Sequence, residues 1–324
     1  MKAVVCTQYG QPRDVLQLRE VDMPTPTDNE VLVKVYAASV NKKDLAPIRG
    51  AFMARLLGTG LLKPKRLILG DDIAGRVEAV GKNVKQFQPG DEVFGDAPGA
   101  FAEYACARED LLALKPNIAT FEEAAAAPIA AITALQGVRA GQIQPNQKVL
   151  VNGASGGVGT FTVQIAKSFG TEVTAVCSPQ NVDNLRSMGA DHVIDYTQED
   201  FTKSGQLYDL ILAINGYHPI LDYQKALSPK GICVVVGGEL PQIFQALVLG
   251  PLISKSGGKK ISFMGIAKLN HKDLVLLKEL LEAGKVKSVI DRRYPLSEAA
   301  EAIQYLEEGH ARGKIIIAVG HNKT

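Results

Sequence analysis

Apolar and polar positions along this chain follow two rhythms in succession, and the change comes near Phe121. Before it, "MKAVVCTQYG", "EVLVKVYAASV" and "DIAGRVEAVG" carry the period-two pattern of half-buried strands, with "QPGDEVFG" and "DAPGAF" as turns between strands. After it, "FEEAAAAPIAAITALQGVRAG" is an alanine-rich helical stretch broken or kinked at Pro128. Short apolar runs then alternate with helical segments, and "KVLVN", "EVTAVC", "HVIDY", "YDLILAI", "GICVVVG" and "KISFMGI" are the expected strands. Such alternation predicts parallel strands joined by right-handed crossovers, a doubly wound α/β sheet. Past Gly265 come a helix ("HKDLVLLKELLEAG"), a strand ("SVIDRRYPL"), another helix and a last strand ("GKIIIAVG"). The sheet already has its six strands, so this tail is expected to return to the first domain. The expected domains are 1–122, completed by 267–324, and 123–266.

One stretch names a ligand. In "VLVNGASGGVGTFTVQIAKSFG" the strand ending at Asn152 runs into Gly153-x-x-Gly156-x-x-Gly159, with Gly157 between and Ser155 and Val158 inside the loop. Glycine there permits the tight turn, lets backbone approach a pyrophosphate and lets the next helix pack close to the sheet. Val158, Phe161, Ile165, Ala166 and Phe169 are expected on one apolar helical face, and the helix N-terminus aims free N–H groups at phosphate. A bare glycine triplet is a weak signal; strand before, helix after and a βαβ frame make it a dinucleotide loop. No Gly-Lys-Ser/Thr follows, which excludes an NTPase P-loop.

An NAD site usually closes its second strand with Asp or Glu roughly 20 residues on, to bind the ribose 2′-hydroxyl. Here "EVTAVC" runs into Ser178, Pro179, Gln180 and Asn181 with no acid. Hydroxyl and amide donors can bond a 2′-phosphate that a carboxylate would repel, so NADPH is the expected cofactor. Ser178 can also cap a helix with Pro179 at its first position, and the two roles are compatible.

Composition narrows the class. With 324 residues the chain exceeds a single comfortable core, and Lys+Arg 36 against Asp+Glu 34 leaves a net charge of +2. That balance offers no basic field for nucleic acid. Cys6, Cys106, Cys177 and Cys233 stand singly, without metal-like spacing, and read as small buried hydrophobes in a reducing compartment. "ALVLGPLIS" is apolar but far short of the roughly 20 residues that span a bilayer. With "MKAVVCTQYG" reading as a strand rather than a targeting segment, the expectation is a cytoplasmic protein.

The chain resembles the medium-chain dehydrogenase/reductase superfamily, in its zinc-free quinone oxidoreductase (zeta-crystallin-like) and enone reductase branch. The resemblance rests on "SVNKKD", "GDDIAGRVEAVG", "PGDEVFG", "GAFAEY", "AAAAPIAAITALQ", "VLVNGASGGVG", "MGADHVIDY" and the closing "GKIII", in that order. It implies a GroES-like β-rich catalytic domain, a Rossmann domain, and an active site in the cleft between them. Where zinc-bearing members place ligands, this chain has Asn41 (followed by Asp44), Asp71 between Gly70 and Asp72, and Ile129, with Thr133 following. An amide, one carboxylate and an isoleucine do not make a three-ligand zinc site, so no metal is expected. The implied chemistry is hydride transfer from NADPH to quinones or α,β-unsaturated carbonyls, whose developing charge needs only hydrogen-bond donors.

Asn41 is the first candidate for such a donor, with satisfaction of buried backbone as its plain alternative. Lys42 and Lys43 could offer charge, although solvated surface lysines are the simpler reading. Asp44 and Asp72 are read as bracing the cleft rather than transferring protons, and no proton donor is singled out. For the cofactor, the resemblance adds Thr133 near the nicotinamide and Tyr196 near the adenosine phosphate. Asn215, Gly237 and Gly238, with Gly216, fall at carboxyl ends of strands, where open α/β sheets bind ligands. The stretch "APIRGAFMARLLGTGLLKPKRLILG", expected on the substrate side, departs from well-known quinone reductases.

Two other readings stay open: a zinc-independent carbonyl or alcohol oxidoreductase, and a non-catalytic NADPH-binding structural or sensor protein. The partner expected is a small electrophile, with no nucleic acid and no membrane span. "GGKKISFMGIAKL" reads as the final Rossmann strand at a sheet edge, and an unblocked edge predicts a homodimer.

Overall fold

The computed structural model describes residues 1–50, 63, 64, 67–256 and 258–321. Much of the "APIRGAFMARLLGTGLLKPKRLILG" stretch therefore lies outside the described residues. The chain divides into two compact units, one of Met1–Ile129, Leu269–Gly284 and Ser288–Thr324, the other of Ala130–Lys268 and Lys285–Lys287.

In chain order the strands are β1 (Lys2–Cys6), β2 (Leu16–Glu20), β3 (Glu30–Val40), β4 (Asp72–Val80), β5 (Glu92–Asp96), β6 (Tyr104–Arg108) and β7 (Leu112–Leu114). Then come β8 (Lys148–Asn152), β9 (Glu172–Cys177), β10 (His192–Asp195), β11 (Tyr208–Ala213), β12 (Leu227–Val235), β13 (Lys260–Phe263), β14 (Ile290–Pro295) and β15 (Lys314–Ala318).

The first unit is built around β3, the 11-residue alternating run. One edge of β3 pairs with β4; the other pairs with β6 over its first half and with β15 over its second. The sheet runs β14-β15-β3-β4-β5-β7, and β1 and β2 make a separate antiparallel pair. Val33, Ile73, Phe101, Leu112, Ile315 and Ile317 meet in one core. Ala302 and Ile303, from the Ala299–Glu307 helix, join the same core.

The second unit holds six parallel strands in the order β10-β9-β8-β11-β12-β13, a doubly wound sheet whose direction of winding reverses between β8 and β11. Leu150, Ile211, Val235 and Ile261 anchor its core beneath Tyr223 and Phe201. Pro128 opens the Pro128–Ala140 helix after the short Phe121–Ala125 helix, the expected break.

Sequence and structure part at a few places. Phe169 is not on the buried helical face: it caps the Gly157–Ser168 helix and is exposed, because the chain turns away at Gly170. "KISFMGI" pairs only as far as Phe263, since Gly265 takes a left-handed φ of 80° and leads the backbone out of the sheet. "GICVVVG" begins earlier, at Leu227, where an irregular register with Tyr208 lengthens β12. Cys106 is half-buried, unlike the other three cysteines. No helix among the described residues is long and apolar enough to cross a membrane.

Candidate functional site

Two polar constellations stand out, one in each unit. In the second unit the strand registers pair Asn152 with Val176, Ala213 with Asn152 and with Val235, and Asp195 with Cys177, so the carboxyl ends of β8 to β12 lie level. Every cofactor residue read from the sequence except Thr133 is in the loops that leave this edge or in the first turn of a helix that follows. Thr133 is half-buried in the Pro128–Ala140 helix.

The loop after β8 is set by contact. Gly153 has φ 83°, and a Cβ there would lie 2.6 Å from the Asn215 carbonyl oxygen. A Cβ on Gly159 would lie 2.2 Å from the Gly153 carbonyl oxygen, so only glycine lets the helix fold back on its own loop. Gly156, the residue before the Gly157–Ser168 helix, behaves differently: a Cβ there would meet open space. A backbone bare of side chains, facing open space at a helix N-terminus, fits a pyrophosphate. Ser155, Gly157 and Val158 are half-buried in the same turn.

Asn152, which the sequence reading passed over, holds the neighbouring loop in place. Its carbonyl oxygen accepts from the Ile214 and Asn215 N–H groups, and its Nδ2 donates to Tyr223 Oη at 2.8 Å. Tyr223 in turn accepts from Gln242 Nε2 at 3.4 Å, and Gln242 lies beneath Gly238. The buried Tyr223 hydroxyl has its pKa raised by desolvation, so it stays a neutral hydrogen-bonding post. Asn152, Tyr223 and Gln242 tie the loops of Gly153, Asn215 and Gly238 together. Their only sequence signal was polarity inside otherwise apolar runs.

A second group gathers at the end of β9. Asn181 is buried and its Nδ2 donates to Ser178 Oγ at 2.8 Å, while Pro179 opens a short 3-10 turn. Ser178 makes no capping bond to that turn. The Tyr196 N–H donates to the Cys177 carbonyl oxygen at 3.1 Å, so the backbone of Tyr196 lies at the end of β9, and its side chain is largely exposed.

The first unit holds its polar group where β3, β4, β5 and β15 meet. Register puts Ser39 opposite Asp72, Asp72 opposite Asp96, and Ile315 opposite Val40, which carries Lys314 to Asn41. Asp72 is fully buried and accepts from Ser39 Oγ at 2.8 Å, Asn41 Nδ2 at 2.9 Å and the Ile129 N–H at 3.0 Å. Lys314, also buried, sets its Nζ 2.6 Å from Asn41 Oδ1, 3.2 Å from the Val40 carbonyl oxygen and 3.5 Å from Asp72 Oδ2. Desolvation lowers the pKa of Lys314, and the attraction of Asp72 works against that fall.

Next to this core, Lys43 Nζ is 2.7 Å from Asp71 Oδ2 and 3.7 Å from Asp96 Oδ2. Burial pulls the Lys43 pKa down, but Asp71 chiefly, with Asp72 and Asp96, outweighs it and the net direction is up. Lys43 is thus not a free surface lysine, although about half of its side chain is exposed. Asp44 is buried and accepts from the Asn41 N–H at 2.8 Å; desolvation pushes its carboxyl up to about 7. The sequence reading did not single out Lys314, which opens the apolar β15 strand. The clue was the Asp71–Asp72 pair entering an apolar strand, since a buried carboxylate needs a countercharge.

At the three places matching zinc ligands, the donor set does not fit zinc. Asn41 Oδ1 is taken by Lys314, Asp71 is paired with Lys43, and Ile129 offers an aliphatic side chain whose N–H already binds Asp72.

Comparison with known proteins identifies the family. Residues 27–117 match the alcohol dehydrogenase GroES-like domain, and residues 188–317 match a family described as zinc-binding dehydrogenase. A 2-methylene-furan-3-one reductase of Solanum lycopersicum is 36% identical over 98% of this chain and 79% of its own. An NADPH-dependent alkenal/one oxidoreductase of Arabidopsis thaliana is 32% identical, with the same coverage of 98% and 79%. The solved quinone oxidoreductase of Coxiella burnetii is 31% identical, with a TM-score of 0.86 over 99% of both chains. The chain belongs to the medium-chain dehydrogenase/reductase superfamily, with a GroES-like and a Rossmann-type domain, and is an oxidoreductase that works with a nicotinamide cofactor.

Proposed function

We propose that this chain transfers hydride from NADPH to quinones or α,β-unsaturated carbonyl compounds without a metal. The observation that carries the metal-free reading is the Asp72–Asn41–Lys314 group, in which a lysine ammonium already takes the oxygen of Asn41. Reduction of an unactivated ketone lacks its usual polarising ion at such a place. A conjugated acceptor spreads the incoming charge onto a carbonyl oxygen and asks only for a donor or a nearby cation. Lys43, half-exposed and gripped by Asp71 and Asp96, is the cation of this group best able to meet such charge. Asn41 donates its Nδ2 to Asp72 and, at 3.4 Å, to the Ser39 carbonyl oxygen, so we give it a positioning role rather than a direct contact. Asp44 braces the same turn through the Asn41 N–H.

Bound to the second unit, NADPH supplies the hydride. Gly153, Ser155, Gly156, Gly157, Val158 and Gly159 would take its pyrophosphate, Ser178 and Asn181 its 2′-phosphate, and Tyr196 its adenosine. Thr133, Asn215, Gly237 and Gly238 would hold the nicotinamide. The preference for NADPH is supported by the acid-free turn after β9: Ser178 Oγ accepts from Asn181 and keeps its own hydrogen to donate. Asp195, at the end of the neighbouring strand, is occupied by the Thr197 N–H and hydroxyl.

A homodimer through β13 completes the reading, because β13 ends the sheet order and no described strand pairs with its outer edge. Light scattering on a dilution series tests it, and Phe263→Pro should dissociate the pair by removing an edge donor. The free cysteines suit a reducing compartment such as the cytoplasm. The activity is tested by following NADPH oxidation with a panel of quinones, enals, enones and saturated ketones, with and without chelator. Turnover of the conjugated acceptors, indifferent to chelator, is expected. Turnover confined to saturated carbonyls, or lost with bound zinc, would replace the proposal.

A further inference from the structure

The Leu240–Ser256 helix has two apolar faces, and only one of them is used. At about 100° per residue, Gln242, Ala246, Gly250 and Ile253 share one face, and all four are buried. Gly250 explains the close seat: a Cβ there would lie 2.6 Å from the Ile261 carbonyl oxygen of β13. Ser254 Oγ accepts from the Ile261 N–H on the same side. The opposite face carries Leu240, Phe244, Leu247, Val248 and Leu252, which are 49% to 78% exposed. Scattered exposed leucines need no explanation; five apolar side chains in one stripe on one helix do. The helix has a single charged residue, Lys255, in its last turn.

Charge says what meets this stripe. From Leu240 to Lys272 the chain has no Asp or Glu, but it has Lys255, Lys259, Lys260, Lys268 and Lys272. Lys255, in the last turn of the helix, and Lys260, the first residue of β13, are both exposed, and Lys259 donates to the Gln224 carbonyl oxygen. We propose that the outer face of the Leu240–Ser256 helix docks this protein peripherally on an anionic lipid surface, the apolar stripe entering the interface and the lysines engaging headgroups. A second copy seated on this face would show instead as a change of oligomeric state in the glutamine variant. The docked helix lies along the bilayer and does not cross it, in keeping with its length and with Pro251 inside it.

The experiment is flotation of the full-length purified protein with phosphatidylcholine vesicles, with and without phosphatidylglycerol. Binding to the anionic vesicles is expected to exceed binding to the neutral ones by about tenfold and to fall in raised salt. Leu240→Gln with Phe244→Gln, both at exposed positions, should weaken it by about tenfold or more while leaving the circular dichroism spectrum unchanged. Lys255→Glu with Lys260→Glu should erase the preference for anionic vesicles, and it tests the charge contribution without touching the apolar stripe. Absence of flotation with either vesicle overturns the proposal. So does flotation indifferent to both pairs of substitutions, or a glutamine variant that falls from dimer to monomer in a protein that binds no vesicle.

Discussion

The second unit makes its site from backbone, and the first unit makes its polar group from side chains. Around Gly153 and Gly159 nothing but main chain fits, and Gly156, with open space where a Cβ would stand, precedes a helix that no side chain caps. Around Asp72 the main chain contributes one N–H, from Ile129, and the rest is hydroxyl, amide and ammonium. The two designs fail differently. A backbone cradle tolerates loss of a ligand without strain, whereas a buried ion pair turns costly when one partner goes. Substitutions in the first unit should therefore register as lost stability, and those in the glycine loop as lost affinity.

The largest effect is expected from Lys314→Met. It leaves the Asp72 carboxylate buried without a countercharge and strips a donor from Asn41 Oδ1 and the Val40 carbonyl oxygen. Urea unfolding should show a loss of about 3–5 kcal/mol, and adding Asp72→Asn should recover part of it. A single variant as stable as the parent would mean that Lys314 is not the countercharge, and the contrast between the units would collapse.

Asp44 gives the next effect, as a pH dependence. Its carboxyl sits near 7 in the folded chain against an ordinary value of 3.8, with burial as the main cause, Asp71 and Asp72 adding to it, and the Asn41 N–H and Lys43 opposing. Between about pH 4 and 7 the folded chain keeps a proton that the unfolded chain releases, so stability falls as pH rises through that window. The shift of about three units corresponds to roughly 4 kcal/mol at most. Asp44→Asn keeps an oxygen for the Asn41 N–H and should flatten the melting temperature across the same window. An unchanged slope would assign the dependence to another group.

The contrast also explains what could be read in advance. The glycine loop, the strand–helix alternation and the break at Pro128 are local, each decided by a few consecutive residues, and all were legible. The Lys314–Asn41 contact joins positions 273 apart and exists only because β15 pairs with the end of β3. No window of sequence contains it. Lys43 failed for the same reason: its partners Asp71 and Asp96 come from other parts of the chain, so it read as a solvated lysine. Phe169 failed for the opposite reason, because the apolar stripe was carried one residue past Ser168, onto the C-cap just before the left-handed Gly170.

Gly157→Asp sharpens the comparison from the other side. The new carboxylate enters the first turn of the Gly157–Ser168 helix, where an acid suits the helix dipole and should leave folding intact. It would face the pyrophosphate, so calorimetric titration with NADPH should show affinity reduced by about a hundredfold or more, near 2.7 kcal/mol. Stability lost together with affinity would make the glycine loop no different from the buried cluster.

The smallest effect concerns the choice of cofactor. The parent chain should bind NADPH at least about tenfold more tightly than NADH, about 1.4 kcal/mol. The expectation rests on the turn after β9, where Ser178 and Asn181 form a neutral hydrogen-bonding pair and Asp195 is turned onto Thr197. Neutral donors discriminate less than an arginine would, which is why the margin is modest. Ser178→Asp places a carboxylate where the 2′-phosphate would lie and offers an acceptor to a ribose 2′-hydroxyl, so it should reverse the preference. Calorimetry with both nucleotides on both proteins decides the matter. Equal dissociation constants in the parent, or a variant that still prefers NADPH, would separate cofactor choice from the Ser178 turn and leave the glycine loop as the only part of the nucleotide site that sequence could assign.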